Sequence, residues 1–398
     1  MMLSIPSHTQ GRYRVQHTNP TRRTTLTEVF SLSAGAMAAG IRDHTLSAVE
    51  VVEAHIERIR EVNPALNAVV GFRFDQARRE AVAAQERAMR TTGAPTPPLL
   101  GVPCTIKEFL GIRGMPQSGG ILARSHVVAE HDAAVVRRLR RAGAIPLGVT
   151  NVPEAGLWHE TNNPVYGRTR NPHDLRRTCG GSSGGEAAII AAGGSPFGLG
   201  SDTGGSVRIP AAFCGIAAHK PTGGLVPNTG HFPHPPRGLL DVPMVTGPMA
   251  RHVGDLELVL EIIAGPDGID PACRRKRLGA PEPLEASGLT VYPVVSNGRI
   301  HPSAEIEAAL WKSAKALEDR GARIAAWPGP DLSRAFEMWA ALLTESGERY
   351  DSLVSAGHSP PNLLAQLLRW PLGRAHHSGG VIALMVIERA LGLLPGGL

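Results

Sequence analysis

Short apolar segments alternate with helical segments along this chain, and this alternation constrains its fold more than any other feature. Apolar residues recur at helical spacing over 46–62, where Asn63 and Pro64 are expected to end the helix, and a second helical pattern covers 74–89. The alternation predicts an α/β fold, in which a mixed twisted sheet is covered by helices on both faces. The predicted strands are 68–72, 100–106, 145–150, 197–200, 289–295 and 322–326, and the further predicted helices lie within 26–61 and at 132–142, 186–193, 303–319, 331–346, 362–368 and 381–394.

The composition is typical of a soluble globular protein. Hydrophobic residues make up 42% and charged residues 19% of the 398 residues, which is enough for a sizeable core. We predict a disordered tail over residues 1–24 and a single domain over residues 25–398. No apolar run reaches the ~18 residues that a membrane-spanning helix needs. The four cysteines form no C-x-x-C pair, which indicates reduced thiols and a cytoplasmic location.

The chain carries a net charge of +6, and much of the excess stands near its ends and in short arginine runs. Such charge attracts nucleic acid or an anionic membrane. No basic stretch is interleaved with aromatic residues, which total only 4%. Solvated arginines are therefore the better interpretation, and no nucleic-acid partner is expected.

A stretch rich in Gly and Ser over residues 179–224 also contains the apolar residues of a core, unlike a low-complexity linker. Two glycines directly precede Ser206 and let the backbone turn sharply, with Asp202 and Arg208 placed to pair beneath the turn. Such a turn can direct amides at a developing oxyanion. Taken alone, a purely structural turn is the commoner explanation. The candidate oxyanion donors are the backbone amides of Thr203, Gly204, Gly205 and Ser206.

A serine hydroxyl is a weak nucleophile until a neighbouring base takes its proton. His159 and His219 lie near Ser206 in sequence, so a Ser-His arrangement stays open on composition. Lys107 is the better candidate because it ends an apolar strand, where desolvation lowers the pKa of an amine and frees it to accept a proton. Taken alone, however, this pattern favours an ordinary lysine that reaches solvent.

Three linked motifs resemble those of the amidase signature family: the lysine segment 101–108, the loop G-G-S-S-G-G-E at 180–186, and G-G-S at 204–206. The resemblance covers roughly residues 30–395 and implies the mixed α/β sheet of that family. It also implies a Ser–cis-Ser–Lys triad. In this triad Ser206 is the nucleophile, Ser182 in a cis peptide bond is the proton bridge, and Lys107 is the base. Ser183 is expected to support the loop.

The implied reaction is hydrolysis of a carboxylic amide to an acid and an amine or ammonia through an acyl-enzyme. No cofactor and no metal are expected, because the glycine loops lack the P-loop pattern and the histidine pairs His231/His234 and His376/His377 lack carboxylates beside them. Those pairs are interpreted as loops on a pocket rim.

Loops at 114–116, 225–228 and 230–233 resemble most the fatty-acid amide hydrolase 2 branch of the family. Two alternatives stay open: a glutamine-hydrolysing A subunit of a tRNA-dependent amidotransferase, and an inactive truncated paralogue. The second arises because chains of the family continue well past the position of Leu398, so that the fold is expected to be incomplete there. Apolar residues within 362–394 are expected to contact a lipid surface or to cover an apolar acyl pocket, and a packed core helix is an equal alternative. A homodimer is also left open.

Overall fold

The computed structural model describes residues 26–90, 96–233, 244–274, 278, 284–345, 350–355, 357 and 359–391, so the disordered tail predicted for residues 1–24 lies outside the described residues. The helices are α1 (Leu26–Ser31), α2 (Ala34–Arg42), α3 (Ala48–Leu66), α4 (Phe74–Arg90), α5 (Ala134–Arg141), α6 (Gly184–Ala191), α7 (Arg208–Cys214), α8 (Val253–Ile263), α9 (Ala304–Glu318), α10 (Ala335–Glu345), α11 (Tyr350–Ser355), α12 (Leu363–Arg369) and α13 (Gly379–Leu391). The strands are β1 (Val69–Phe72), β2 (Pro103–Lys107), β3 (Ile145–Thr150), β4 (Asn162–Asn163), β5 (Gly167–Arg168), β6 (Arg170–Asn171), β7 (Asp174–Thr178), β8 (Phe197–Asp202), β9 (Ala217–Ala218), β10 (Val245–Ala250), β11 (Thr290–Val291) and β12 (Arg323–Ile324).

Six of these strands form the central sheet, in the order β1-β3-β2-β8-β10-β9. β2 runs parallel to β3 and β8, whereas β1, β10 and β9 run antiparallel to their neighbours. One core cluster includes apolar residues of α5 and α8, and another includes apolar residues of α3, α4 and α6. The predicted α/β fold with a mixed sheet and helices on both faces is confirmed.

The helix α3 runs past the point where the sequence was expected to end it. Pro64 lies inside its last turn, and the helix ends only at Leu66, followed by the C-cap Asn67 in a left-handed conformation. A proline in a helix removes one backbone donor and crowds the carbonyl four residues earlier, and α3 continues for only two residues beyond it. The side chain of Asn63 then accepts from the amides of Ala68 and Val69, both at 2.8 Å, and this directs the chain into β1.

The strand β10 and the helix α8 are absent from the predicted elements. β10 contains Gly247 and Pro248, residues that argue against a central strand. The carbonyl of Pro248 accepts from the amide of His219 at 3.0 Å, so the polar backbone atoms of Pro248 face the short strand β9. β9 has only two residues and is the last strand of the sheet on this side. The missing N–H therefore costs the sheet little.

The chain divides into two compact units. One comprises the described residues up to Arg274 and from Tyr350 onward, and the other those from Leu278 to Glu345. In the smaller unit β11 and β12 pair in parallel, α9 contacts β12, and both strands are shorter than predicted. A single domain over residues 25–398 stays a prediction. Of the helices that the structure describes, none has both the length and the apolar character needed to cross a membrane.

A buried carboxylate joins the start of α13 to the loop that follows β3. Glu154 is fully buried; its Oε1 accepts from Nδ1–H of His377 at 2.6 Å, and its Oε2 accepts from the amide of Ser378 at 2.7 Å. We name Glu154, His377 and Ser378 the α13 clasp. Around it packs a small apolar cluster that joins this loop to α11, α12 and α13. Its buried members are Ile121, Ala155, Val354, Leu363, Val381, Ile382 and Met385.

Because of the α13 clasp, we expect the substitution His377→Ala to lower the free energy of unfolding. The substitution takes one of two donors from a carboxylate that water does not reach, so the free energy of unfolding should fall by about 1–3 kcal/mol. His376→Ala is the matched control, because the side chain of His376 is exposed and only its amide is bonded, to Gln366. Urea unfolding of both variants measures the difference. Equal losses in the two variants would contradict the role of the clasp.

Candidate active site

Lys107 stands at the end of β2, where strand alternation separates two sets of side chains. Cys104 and Ile106 pack in the core on one face, so Thr105 and Lys107 share the other. Lys107 is fully buried, which shows that the alternative of a lysine reaching solvent is wrong. Its Nζ lies 2.6 Å from Ser182 Oγ, and 3.0 and 3.3 Å from Oγ and the carbonyl oxygen of Ser201.

The environment of Lys107 favours the neutral amine. Burial lowers its pKa to about 7, although the negative charges of Asp202 and Glu186 oppose this by raising it. Within the described residues no carboxylate lies in salt-bridge contact with Nζ, so hydroxyl and carbonyl groups are its polar neighbours. The ring of Phe109 covers it, with the centroid 4.7 Å from Nζ.

The loop before α6 brings Ser182 to the lysine. The peptide bond between Gly181 and Ser182 is cis, and the side chain of Ser182 is almost wholly buried. The next residue, Ser183, donates its amide to the carbonyl oxygen of Ser206 at 3.0 Å. Its Oγ also bonds the backbone of Ser201, with the amide and the carbonyl oxygen each at 3.3 Å. Ser183 therefore ties the loop both to β8 and to the turn at Ser206.

Asp202 organises that turn. Its Oδ1 accepts from the amide of Gly205 at 2.8 Å, and its Oδ2 accepts from the amide of Val207 at 3.0 Å. The guanidinium of Arg208 bonds both carboxylate oxygens, at 2.9 and 3.0 Å. Burial by itself would raise the pKa of Asp202, but these hydrogen bonds outweigh it and lower that pKa below its usual range. The turn needs glycine at 205, where φ is +112°.

The turn leaves backbone amides without an acceptor beside the nucleophile candidate in the described part of the chain, though not all four that the sequence suggested. Gly205 is not free to serve as an oxyanion donor, because its only N–H hydrogen is directed to Asp202. In the part of the chain that the structure describes, the amides of Thr203, Gly204 and Ser206 donate no hydrogen bond. These three amides remain candidates for the oxyanion hole.

The structure joins Lys107 directly to Ser182, but it joins Ser206 to them only through the backbone. Across the described ranges, no hydrogen bond links Ser182 Oγ to Ser206 Oγ, and none links His159 or His219 to Ser206. Both histidines are exposed, whereas Ser206 is buried. The geometry therefore favours lysine over histidine as the base.

Buried carboxyl groups beside the site were missed by reasoning from sequence. Glu108 follows Lys107 directly and accepts from the hydroxyl of Ser118 at 2.7 Å, from the amide of Gly119 at 3.0 Å and from the hydroxyl of Tyr166 at 3.1 Å. Burial raises the pKa of Glu108 even though these bonds oppose the change. The sequence does show a glutamate directly after an apolar strand. It does not show the hydrogen-bond partners of that glutamate, because they lie in distant loops.

The loop at the clasp also contacts the site. Gly156 approaches Ser182 so closely that a Cβ there would lie 3.8 Å from Ser182 Oγ and 3.0 Å from the ring of Phe109. Its neighbour Ala155 belongs to the apolar cluster at α13. Apolar surface therefore lies next to the proton-bridge candidate.

Comparisons with known proteins agree with this geometry. A family model described as Amidase matches residues 50–371. Fatty-acid amide hydrolase 2-A of Danio rerio is 38% identical over 373 residues, which cover 90% of this chain and 69% of that protein. Fatty-acid amide hydrolase 2 of Homo sapiens is 36% identical over 376 residues, with the same two shares of 90% and 69%.

A solved structure of fatty acid amide hydrolase superposes on this fold with a TM-score of 0.75 and 27% identity. The match covers 92% of this chain and 65% of that one. The family predicted from the three motifs, and its likeness to fatty-acid amide hydrolase 2, are confirmed. This chain belongs to the amidase signature family of amide-hydrolysing enzymes.

Proposed function

We propose that the chain hydrolyses a carboxylic amide through an acyl-enzyme, with Lys107, Ser182 and Ser206 as base, proton bridge and nucleophile. The observation that carries the proposal is the 2.6 Å contact between the fully buried Lys107 Nζ and Ser182 Oγ. A neutral amine has two hydrogens and one lone pair. Ser201 offers two acceptors to those hydrogens, which leaves the lone pair to face the hydroxyl of Ser182.

In the proposed reaction, Ser206 Oγ attacks the substrate carbonyl carbon as its proton passes to Ser182 Oγ. Ser182 passes its own proton to Lys107 Nζ. The relay then returns a proton to the amide nitrogen, the C–N bond breaks, and the amine leaves. Water attacks the acyl-enzyme by the same relay and releases the acid. The contact between Ser182 and Ser206 is proposed to form when substrate binds, since such bonds commonly tighten in the substrate complex.

The free amides of Thr203, Gly204 and Ser206 support the proposed stabilisation of the tetrahedral oxyanion. Fixed donors at a site without water lower the free energy of such an anion more than water does. Asp202 and Arg208 support the turn from beneath, at the distances given above. The oxygens of the Asp202 carboxylate bond Gly205, Val207 and Arg208, which holds the turn in shape.

An apolar acyl group is the proposed substrate class. Phe109 and the loop 154–156 carry apolar surface up to Ser182, and the cluster at α13 continues it. The names of the two fatty-acid amide hydrolase relatives point the same way. An A subunit of an amidotransferase is not favoured over this proposal, because the relatives described above are named as hydrolases. Lipid contact through 362–394, a homodimer and a cytoplasmic location stay predictions from the sequence.

Ser206→Ala should abolish covalent labelling by a fluorophosphonate probe, because the attacking oxygen is lost. Lys107→Met keeps a side chain of similar length but removes the base, so the rate of labelling should fall about 10²–10⁴-fold. Gel fluorescence of the purified variants measures both effects. Ser125→Ala, at an exposed serine, is the control and should label at the wild-type rate. Labelling that persists in Ser206→Ala would refute the nucleophile.

The labelling rate should depend on pH through Lys107. Because the base acts only when neutral and its pKa is lowered to about 7, the rate should rise tenfold per pH unit below about pH 7 and level off above it. The residual labelling rate of Lys107→Met should not show this rise with pH, which we call the acid limb. A wild-type rate that is flat from pH 5 to 8 would exclude Lys107 as the titrating base.

The acyl preference can be measured with amides that share one leaving amine and differ in acyl length. If each added methylene is buried against apolar surface, kcat/KM should rise about fourfold per methylene until the pocket is filled. Activity that is highest for acetyl amides and falls with length would contradict an apolar acyl site.

A further inference from the structure

A cavity lies between α4 and α5, at the end of β3 that is remote from the active site. Its volume is about 480 Å³, and small-molecule sites commonly measure about 300–1,000 Å³. Ile145, the first residue of β3, lines the cavity, whereas Lys107 pairs with Thr150, the last residue of that strand. Because a strand rises about 3.3 Å per residue, roughly 17 Å separate the two places. We name this space the α4–α5 cavity.

The wall of the α4–α5 cavity carries an excess of positive charge. Four arginines line it, against two carboxylates. Arg87 belongs to α4, while Arg137, Arg140 and Arg141 belong to one face of α5, since residues three and four apart are neighbours on a helix. Like charges at this spacing repel each other. A negatively charged group in the cavity would relieve that repulsion.

The two carboxylates of the wall, Glu80 and Asp132, are already engaged. Arg140 bonds both of them, at 2.9 Å to Glu80 Oε1 and at 2.8 Å to Asp132 Oδ2. The buried guanidinium of Arg73 also bonds both oxygens of Glu80. The amide of Arg113 donates to Asp132 Oδ1 at 2.8 Å. The negative charge of the wall is therefore paired with Arg73 and Arg140.

Arg137 and Arg141 have no carboxylate partner among the residues that the structure describes. Arg137 donates one N–H to the backbone carbonyl of Asp132 at 3.0 Å, and a guanidinium has five such donors. Arg141 is exposed and donates no hydrogen bond to any described residue. Two guanidinium groups of the cavity therefore still have donors for an external acceptor.

The floor of the cavity is apolar and preformed. Leu100 and Ile145 line it, and both are almost fully buried. Gly143 packs so tightly on this floor that a Cβ there would lie 2.6 Å from the Cα of Leu100. The amide of Gly101 donates to the carbonyl of Gly143 at 3.0 Å, which fixes the two segments to each other. An apolar floor with a few polar groups around it is the usual character of a small-molecule site.

We propose that the α4–α5 cavity binds a small organic anion. Arg137 and Arg141 hold its carboxylate or phosphate group, and its apolar body lies on Leu100 and Ile145. Guanidinium groups suit this role because their planar, paired donors match the oxygens of both acid groups. The cavity shares no residue with the relay of the proposed function, so it is a second site that does not depend on that function.

Three naphthalene compounds test the ligand class, because they share one apolar body and differ in the attached group. Isothermal titration of the full chain with 2-naphthoate, 2-naphthyl phosphate and 2-naphthol measures their affinities. At least one of the two anions should bind with one site per chain and at least about tenfold more tightly than the uncharged naphthol, because hydrogen bonds to charged groups are the stronger ones. The tighter anion identifies the acid group. Binding of neither anion would overturn the proposal.

Arginine variants locate the binding site. Arg137→Gln and Arg141→Gln each remove one charged donor group and should weaken binding of the tighter anion about tenfold or more. Arg79→Gln is the matched control, because Arg79 is an exposed arginine of α4 that does not line the cavity. It loses the same net charge and should bind as the wild type does. Equal affinities in all three variants would refute the site.

Ala83 offers a test that leaves every arginine in place. It is exposed on α4 and lines the cavity, so a longer side chain is tolerated there. Ala83→Glu adds a negative charge beside the proposed anion, and Ala83→Gln adds the same volume without the charge. The first variant should bind the anion at least about tenfold more weakly than the second. Equal affinities in these two variants would show that charge does not direct the binding.

The outcomes are independent of those for amide hydrolysis. Titration before and after reaction with the fluorophosphonate probe should give the same affinity, because the probe reacts at Ser206 and not in the α4–α5 cavity. Loss of anion binding after labelling would place the anion at the active site and overturn this inference. Failure of Ser206 to label would contradict the proposed function and leave the anion site to be judged by Arg137→Gln and Arg141→Gln.

Discussion

The burial of the Lys107 amine is the constraint on which the rest of the site depends. A charged ammonium is costly where water cannot reach it, so the surroundings must either supply counter-charge or accept a neutral amine. Here the neighbours in contact are the hydroxyls of Ser182 and Ser201 and one carbonyl group, while Asp202 is taken up by the turn and Glu186 by two threonines. That arrangement is consistent with the role of base that is proposed for Lys107.

The regular parts of the fold were accessible from sequence because they depend on local pattern. β3 was predicted residue for residue, and α4 and α9 to within a residue at each end. β10 was missed because Gly247 and Pro248 are unfavourable in a strand, and its position in the sheet is determined by the strands on either side. The end of α3 was misplaced because the helix continues through Pro64 to Leu66, where the side chain of Asn63 accepts from the amide of Ala68 just beyond the helix end.

Motifs name the residues of the candidate site, but they do not show which distant residues complete it. The three motifs identify Lys107, Ser182 and Ser206, but the loss of Gly205 as a free donor depends on the bond it makes to Asp202. The partners of Glu154 lie 223 and 224 residues away in sequence, and Asp255 of α8 bonds the first amides of α2 across 221 and 220 residues. Contacts of such separation leave no periodic trace in a sequence.

The α13 clasp has a consequence for the order in which the protein is completed during synthesis. A nascent chain that has emerged as far as α8 already contains Lys107, Ser182 and Ser206, yet the Glu154 carboxylate then lacks both of the donors that α13 brings. Because domains are assembled as the chain leaves the ribosome, the loop beside Ser182 gains its final partners only late in translation. Until then the loop that carries Gly156 next to Ser182 lacks the two hydrogen bonds that fix it to the start of α13.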